Sequence, residues 1–199
     1  IQNVEVDDDH VLKAKFYLDP GKVDIVTMVN CLGKFYLHKD ESLSSWVLVQ
    51  HFVGNAMAIF ILPDLGKMQQ LVQSLSHEYL NRLHKHINPR KRWLFFPKFS
   101  IPVALQLESF KHVNSSLKLF NKRMDLSGIT LQKAPLRVTM VVHRAELAVS
   151  EDGEGEDVSN SRVNPEPGLA ALHFNRSFLL LILDEASKSL LFMGRVLNP

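Results

Sequence analysis

The sequence predicts an α+β fold, and three features of its 199 residues predict it. Strand-like runs come first, a helical stretch interrupts them, and strand-like runs resume to the end, an order that suggests a mixed or antiparallel sheet. Several runs, such as "SSWVLV", "AMAIFIL" and "FLLLILD", are apolar on nearly every residue, as strands buried on both faces are. Turn residues punctuate the runs at Asp19-Pro20-Gly21, Gly54-Asn55 and Pro63-Asp64.

Taken in order, the turn at Asp19-Pro20-Gly21 precedes "VDIVTMV", whose β-branched residues read as a strand. "KFYLHKD" is a second, short strand. "SSWVLVQHFVGNAMAIFILPD" is two strands joined at Gly54-Asn55, a usable hairpin turn, and closed by Pro63-Asp64. In "KMQQLVQSLSHEYLNRLHKHI", Met68, Leu71, Val72 and Leu75 recur at helical spacing. Tyr79, Leu80 and Leu83 repeat the pattern, with Ser76 as N-cap of a second helix. "NPRKR" breaks that helix, "WLFFPKFSI" is strand, and "ALQLESFKHV" reads as a short helix. A long strand is expected over residues 136–150. The acidic "SEDGEGEDVSN" and the following "VNPEPG" are loop. The chain closes as two apolar strands around a polar hairpin at residues 184–189.

Composition excludes several classes. Apolar residues make up 46%, ordinary for a globular chain and too many for disorder. A net charge of +2 argues against a dedicated nucleic-acid binder. The single cysteine, Cys31, allows no internal disulfide. No apolar run reaches the roughly 18 residues of a membrane span. The opening "IQNVEVDDDH" is not a signal peptide and has no initiator Met, so the chain reads as a fragment or a processed product. No Gly-rich phosphate loop, metal cluster or nucleophile–base motif supports an enzyme. His84 and His86 are two residues apart and do not share a helix face, so no metal site is expected there. No cofactor is implied.

The C-terminal "LHFNRSFLLLI" and "LLFMGRVLNP" resemble the signature and terminus of the serpin superfamily. "LSSWVLVQHFVGNAMAIFILPDLGKMQQL" and "MDLSGITLQKAPLRVTMVVHRAELAVSEDG" resemble its antitrypsin-like branch, clade A. The resemblance covers nearly all of residues 1–199, read as the C-terminal portion of one serpin domain. It implies small-sheet strands over residues 23–60 and two helices over 67–87. It implies a main-sheet strand over residues 136–149, a reactive-centre loop at about 153–169, and two buried terminal strands over 174–198. It also implies that an N-terminal half, with the first helices and three main-sheet strands, is needed to complete the fold and to cover large apolar faces.

In inhibitory serpins the cut loop inserts into the main sheet as a new strand, so alternate residues after the hinge glycine become buried. Here the hinge implied by the resemblance is Glu151, Gly153, Glu154 and Glu156, and the inward positions begin with Glu154 and Glu156. Inhibitory members carry Thr or Ser followed by Ala-rich residues there. Burying an unpaired carboxylate costs several kcal/mol or forces it to take a proton. Insertion competes with water at the acyl ester, and each 1.4 kcal/mol or so of added barrier slows it tenfold. The reactive bond would fall near Glu166, Pro167 and Gly168, where proline after the cut bond is poorly accepted. The expectation is therefore a secreted, extracellular, non-inhibitory binding or carrier module. A suicide-substrate inhibitor of a serine protease is the alternative.

The resemblance places further residues. Lys98 and Glu151 would form the ion pair at the top of the main sheet, the breach. His143 would be the buried histidine of the shutter region. Arg82, Lys85, Arg90, Lys91 and Arg92 form a basic patch at the end of the second helix, which would bind a sulfated polysaccharide by counterion release. Asn114 heads a glycosylation sequon, and Asn175-Arg176-Ser177 is a second by letter. A lipophilic small molecule would sit between the small sheet, with Trp46, Phe60, Phe178 and Leu180, and the second helix.

Overall fold

The computed structural model describes residues 11–19, 21–52, 54–76, 78–80, 88–106, 128, 140–149 and 170–199. The chain divides into two compact units, Ile1–Phe99 with Val149–Pro199, and Ser100–Ala148. In the first unit, β1 (Val11–Asp19) pairs with β2 (Lys22–Asp40). The hairpin of β3 (Ser45–Phe52) and β4 (Ala56–Pro63) follows, then α1 (Met68–Ser74) and β5 (Pro89–Pro97). Past the second unit come β8 (Ala171–His173), β9 (Phe178–Asp184) and β10 (Leu190–Val196). Between β5 and β8 lie β6 (Phe99–Gln106) and β7 (Val142–Val149), which pair with each other as a separate two-stranded sheet. The strand order of the large sheet is β10-β9-β4-β3-β2-β5-β8, with β1 on β2. All pairings in it are antiparallel except β5 with β8, so the sheet is mixed.

β2 joins what the sequence divides into two short strands. Its 19 residues pair in turn with β1, β5 and β3. Val26 and Met28 are buried at even positions, whereas Cys31, Phe35 and Leu37 are buried at odd ones. The inward face changes near Asn30, so the period-2 pattern breaks although the strand does not.

β3, β4 and β9 behave as their composition predicts. One set of alternate residues, including Val47, Val49, Ile59, Ile61, Leu179 and Leu181, packs under α1 with Leu71 and Tyr79. The other set faces away from the helix. There Phe60 and Phe178 join Phe96, Phe99 and Phe174, with ring centroids 5.0 Å apart for Phe60–Phe96 and 4.8 Å for Phe96–Phe174. Each such side chain contributes about 1.5–3 kcal/mol on burial.

Several expectations are corrected. β1 is an additional strand. Ala104–Gln106 belong to β6 rather than to a helix. The run "WLFFPKFSI" is two strands, β5 ending at Pro97 and β6 beginning at Phe99, although the Lys98 N–H between them still donates to Thr27 O of β2 at 3.0 Å. β7 begins at Val142, and Met140 and Val141 before it are coil. β9 is buried, but β10 is largely exposed, because β9 is its one strand neighbour among the described residues. The helical reading holds for α1 and for residues 78–80, where Ser76 Oγ accepts the Tyr79 N–H at 3.1 Å, as an N-cap does.

Candidate functional site

Several implied site residues lie outside the described residues: Glu151, Gly153, Glu154, Glu156, Glu166, Pro167, Gly168, Arg82, Lys85 and Asn114. The segment downstream of the loop is anchored. β8 pairs in parallel with β5 through Trp93↔Ala171, Leu94↔Leu172 and Phe95↔His173. The His173 ring stacks on Phe95 at 4.2 Å with planes 6° apart, and burial pushes its pKa down. Lys98 is half-buried at the end of β5. His143 is exposed on β7, whose one partner among the described residues is β6. The buried setting that the resemblance implies for it would need further strands beside β7.

The described part of the basic patch is not a helix end. Arg90, Lys91 and Arg92 sit in β5, and strand alternation divides them. Lys91 pairs with Lys34 of β2 on one face, whereas Arg90 and Arg92 rise on the other beside Phe35 and Gly33. The Arg92 guanidinium lies 5.3 Å from the Trp46 ring centroid, and Lys39 Nζ lies 6.0 Å from it. Asn175 is half-buried, and its side-chain oxygen accepts from Arg176 at 3.4 Å.

A groove runs beside the helix. It has a volume of about 610 Å³, within the size range of small-molecule sites, and its wall is mostly apolar. Val72, Leu75 and Leu80 form its helical side, and Leu179, Leu190 and Met193 its sheet side. Val72, Leu190 and Met193 are 40%, 45% and 58% exposed. A second groove of about 480 Å³ lies at the other end of α1, lined by Asp64, Met68, Arg176 and Leu197 among others. In it Asp64 receives Lys39 Nζ at 2.8 Å on both oxygens, and an Arg176 nitrogen stands 3.5 Å away. Arg176 Nε also donates to Pro63 O at 2.6 Å. Burial lowers the Arg176 pKa, and Asp64 opposes that shift.

The residues that the resemblance implies for a lipophilic ligand do not line this groove. Trp46, Phe60, Phe178 and Leu180 alternate to the face opposite the helix, where Phe60 and Phe178 fill the aromatic cluster. The groove uses their neighbours. The available signal was the continuation of the alternation into β10, where Leu190 and Met193 are the apolar residues that a polar edge strand would lack. Among the described residues, no group of three or more His, Cys, Asp or Glu could hold a metal ion, and no helix is long and apolar enough to cross a membrane.

Comparison with known proteins gives a consistent answer. The family model described as Serpin (serine protease inhibitor) matches residues 5–199. Human alpha-1-antitrypsin-related protein is 38% identical over 192 residues, covering 96% of this chain and 45% of its own length. Alpha-1-antiproteinase of Callosciurus caniceps is also 38% identical, with 96% and 46% covered. The structure of a thyroxine-binding globulin complex with thyroxine superposes with a TM-score of 0.84 at 27% identity, over 98% of this chain and 52% of that one. Human glycosylated kallistatin gives 0.81 at 31% identity, with 98% and 52% covered. Uncleaved ovalbumin, at 20% identity and 0.84, shares the fold. The chain thus spans about half the length of the relatives it matches, and it corresponds to their C-terminal half. With the signature runs, the strand order and the family model in agreement, the chain belongs to the serpin family.

Proposed function

We propose that this chain is part of a secreted serpin-family protein that does not inhibit proteases and acts as a binding or carrier module. One observation carries the reading: Glu151, Asp152, Glu154, Glu156 and Asp157 occupy the stretch where an inserting loop needs small, uncharged inward residues. Glu166-Pro167-Gly168 at the expected reactive bond supports it. The open apolar groove beside α1 supports a lipophilic ligand, and a similar solved structure is a complex with thyroxine. The glycosylated state of kallistatin supports a secretory route, in which Asn114 would carry the glycan. On the same reading Lys98 meets Glu151 at the breach and His143 is covered in the complete protein. The basic residues of β5, with Arg82 and Lys85, would bind a sulfated polysaccharide on two faces rather than one.

The test is the melting temperature of the full-length protein before and after a single nick within residues 153–169. A loop that inserts adds a strand's worth of burial, several kcal/mol, and each kcal/mol raises the midpoint by about 2 °C or less in a protein of more than about 250 residues. A shift within about 3 °C is expected here. A rise above about 10 °C would overturn the reading in favour of insertion. The second reading is a suicide-substrate inhibitor of a serine protease, and an antiproteinase relative at 38% identity favours it.

A further inference from the structure

β1 leaves one side of the large sheet open. It pairs with β2 through Leu12↔Met28, Ala14↔Val26 and Phe16↔Asp24 among others, and no strand flanks its other side among the described residues. At one end that side is taken, since the Tyr17 N–H donates to Asn175 O at 2.8 Å. Over residues 12–16 the outward N–H and C=O groups have no partner strand among the described residues, and such groups are strong donors and acceptors.

The side chains along this edge alternate in kind. Leu12 and Ala14 are half-buried and Phe16 is fully buried, whereas Lys13 and Lys15 are exposed. The lysines share their face with Thr27 and Ile25 of β2, and Ile25 is 58% exposed. Asp24 of β2 stands opposite Phe16 on the other face, and its carboxylate accepts the Ile25 N–H at 2.8 Å. Lys13 and Lys15 have no ion-pair or hydrogen-bond partner among the described residues. An apolar core is not sealed over two unpaired ammonium groups, so whatever covers this row carries carboxylates. The main-sheet strands that the family resemblance implies for the N-terminal half belong with β7, in the other sheet, and do not account for this edge.

We propose that the open edge of β1 takes, as an added antiparallel strand, an extended segment of a partner protein in which acidic and apolar residues alternate. Backbone pairing with residues 12–16 supplies the affinity. Carboxylates opposite Lys13 and Lys15, and apolar side chains opposite Leu12 and Ala14, supply the specificity. This surface goes beyond the carrier reading and does not depend on it.

The experiment is fluorescence polarisation of a fluorescein-labelled peptide of alternating Val and Glu, titrated with the full-length protein. Wild type is compared with the double variant Lys13→Glu, Lys15→Glu and with Lys91→Glu, which reverses a lysine elsewhere in the same sheet. Saturable binding to wild type is expected. The double variant should bind about tenfold more weakly, as two reversed cross-strand charge pairs imply, and Lys91→Glu should bind as wild type does. The same peptide N-methylated on alternate amides should lose binding, because it cannot complete the backbone ladder. Binding that survives N-methylation, or that falls equally in Lys91→Glu, overturns the proposal in favour of diffuse attraction. No saturable binding to wild type also overturns it, and the two lysines then serve only to repel other strands.

Discussion

Asp40 ends β2 and organises the turn that follows. Its Oδ1 accepts the Ser42 N–H at 2.9 Å, the Ser42 hydroxyl at 2.6 Å and the Leu43 N–H at 3.2 Å. Its Oδ2 accepts the Tyr79 hydroxyl at 2.7 Å, linking β2 to the residues after α1. Burial pushes the Asp40 pKa up, but these hydrogen bonds outweigh it and hold the carboxyl below its usual range. A depressed carboxyl pKa contributes stability that is present above the unfolded value and lost as pH falls through the folded one. Tyr79→Phe should therefore cost about 1 kcal/mol in denaturant unfolding at neutral pH. An unchanged midpoint would show that the bond contributes nothing. His38 acts in the same direction through another route. Burial lowers its pKa, Arg90 lowers it further, and Asp40 opposes both. The folded state then resists protonation, so stability falls as pH drops below the ordinary imidazole value of about 6.5. His38→Gln should flatten the fall in unfolding midpoint between pH 7 and pH 5, and an unaltered slope would contradict the assignment. The Ser76 cap was legible in the sequence because it is local. The Asp40–Tyr79 contact was not, because it joins residues 39 positions apart that only the fold brings together.

Among the elements, the β3–β4 hairpin was the most readable. Gly54 and Asn55 both take positive φ, +95° and +69°, as the Gly-Asn pair predicts. A Cβ at Gly54 would meet nothing within 4 Å, so Gly54→Ala should cost about 1 kcal/mol through backbone strain alone. A thermal midpoint unchanged by that substitution would show that the turn relaxes. α1 divides as its periodicity predicts for Leu71, which is fully buried, but not for Val72, which opens into the groove. Leu71→Ala should cost about 2–5 kcal/mol, and Val72→Ala less than about 1. Equal costs would mean that Val72 is covered in the complete protein. β2 and β10 were misread for one reason. Local pattern reports which side of a strand is apolar, but not that the side can change along a continuous strand, as near Asn30, or at a bulge, as at Leu191. Nor does it reveal that an apolar strand such as β10 has β9 as its one strand neighbour among the described residues.

For the molecule as a whole, family and fold were legible because they rest on long runs: "LHFNRSFLLLI" spans the end of β8 through β9, and "LLFMGRVLNP" is β10 and the terminus. The candidate site was only partly legible. The charges of the proposed hinge are visible in the sequence itself, whereas the groove depends on the register between β9 and β10. The basic residues near Arg90 looked like one patch because they are adjacent in sequence, and a strand separates adjacent residues where a helix end would gather them. The central claim is that Glu154 and Glu156 prevent the loop from entering a sheet. The measurement that tests it most directly is incubation of the full-length protein with trypsin-, elastase- and chymotrypsin-like proteases, followed by denaturing electrophoresis. The account predicts loop cleavage with no covalent complex. A stable high-mass band would contradict it and show that the sheet accepts both carboxylates.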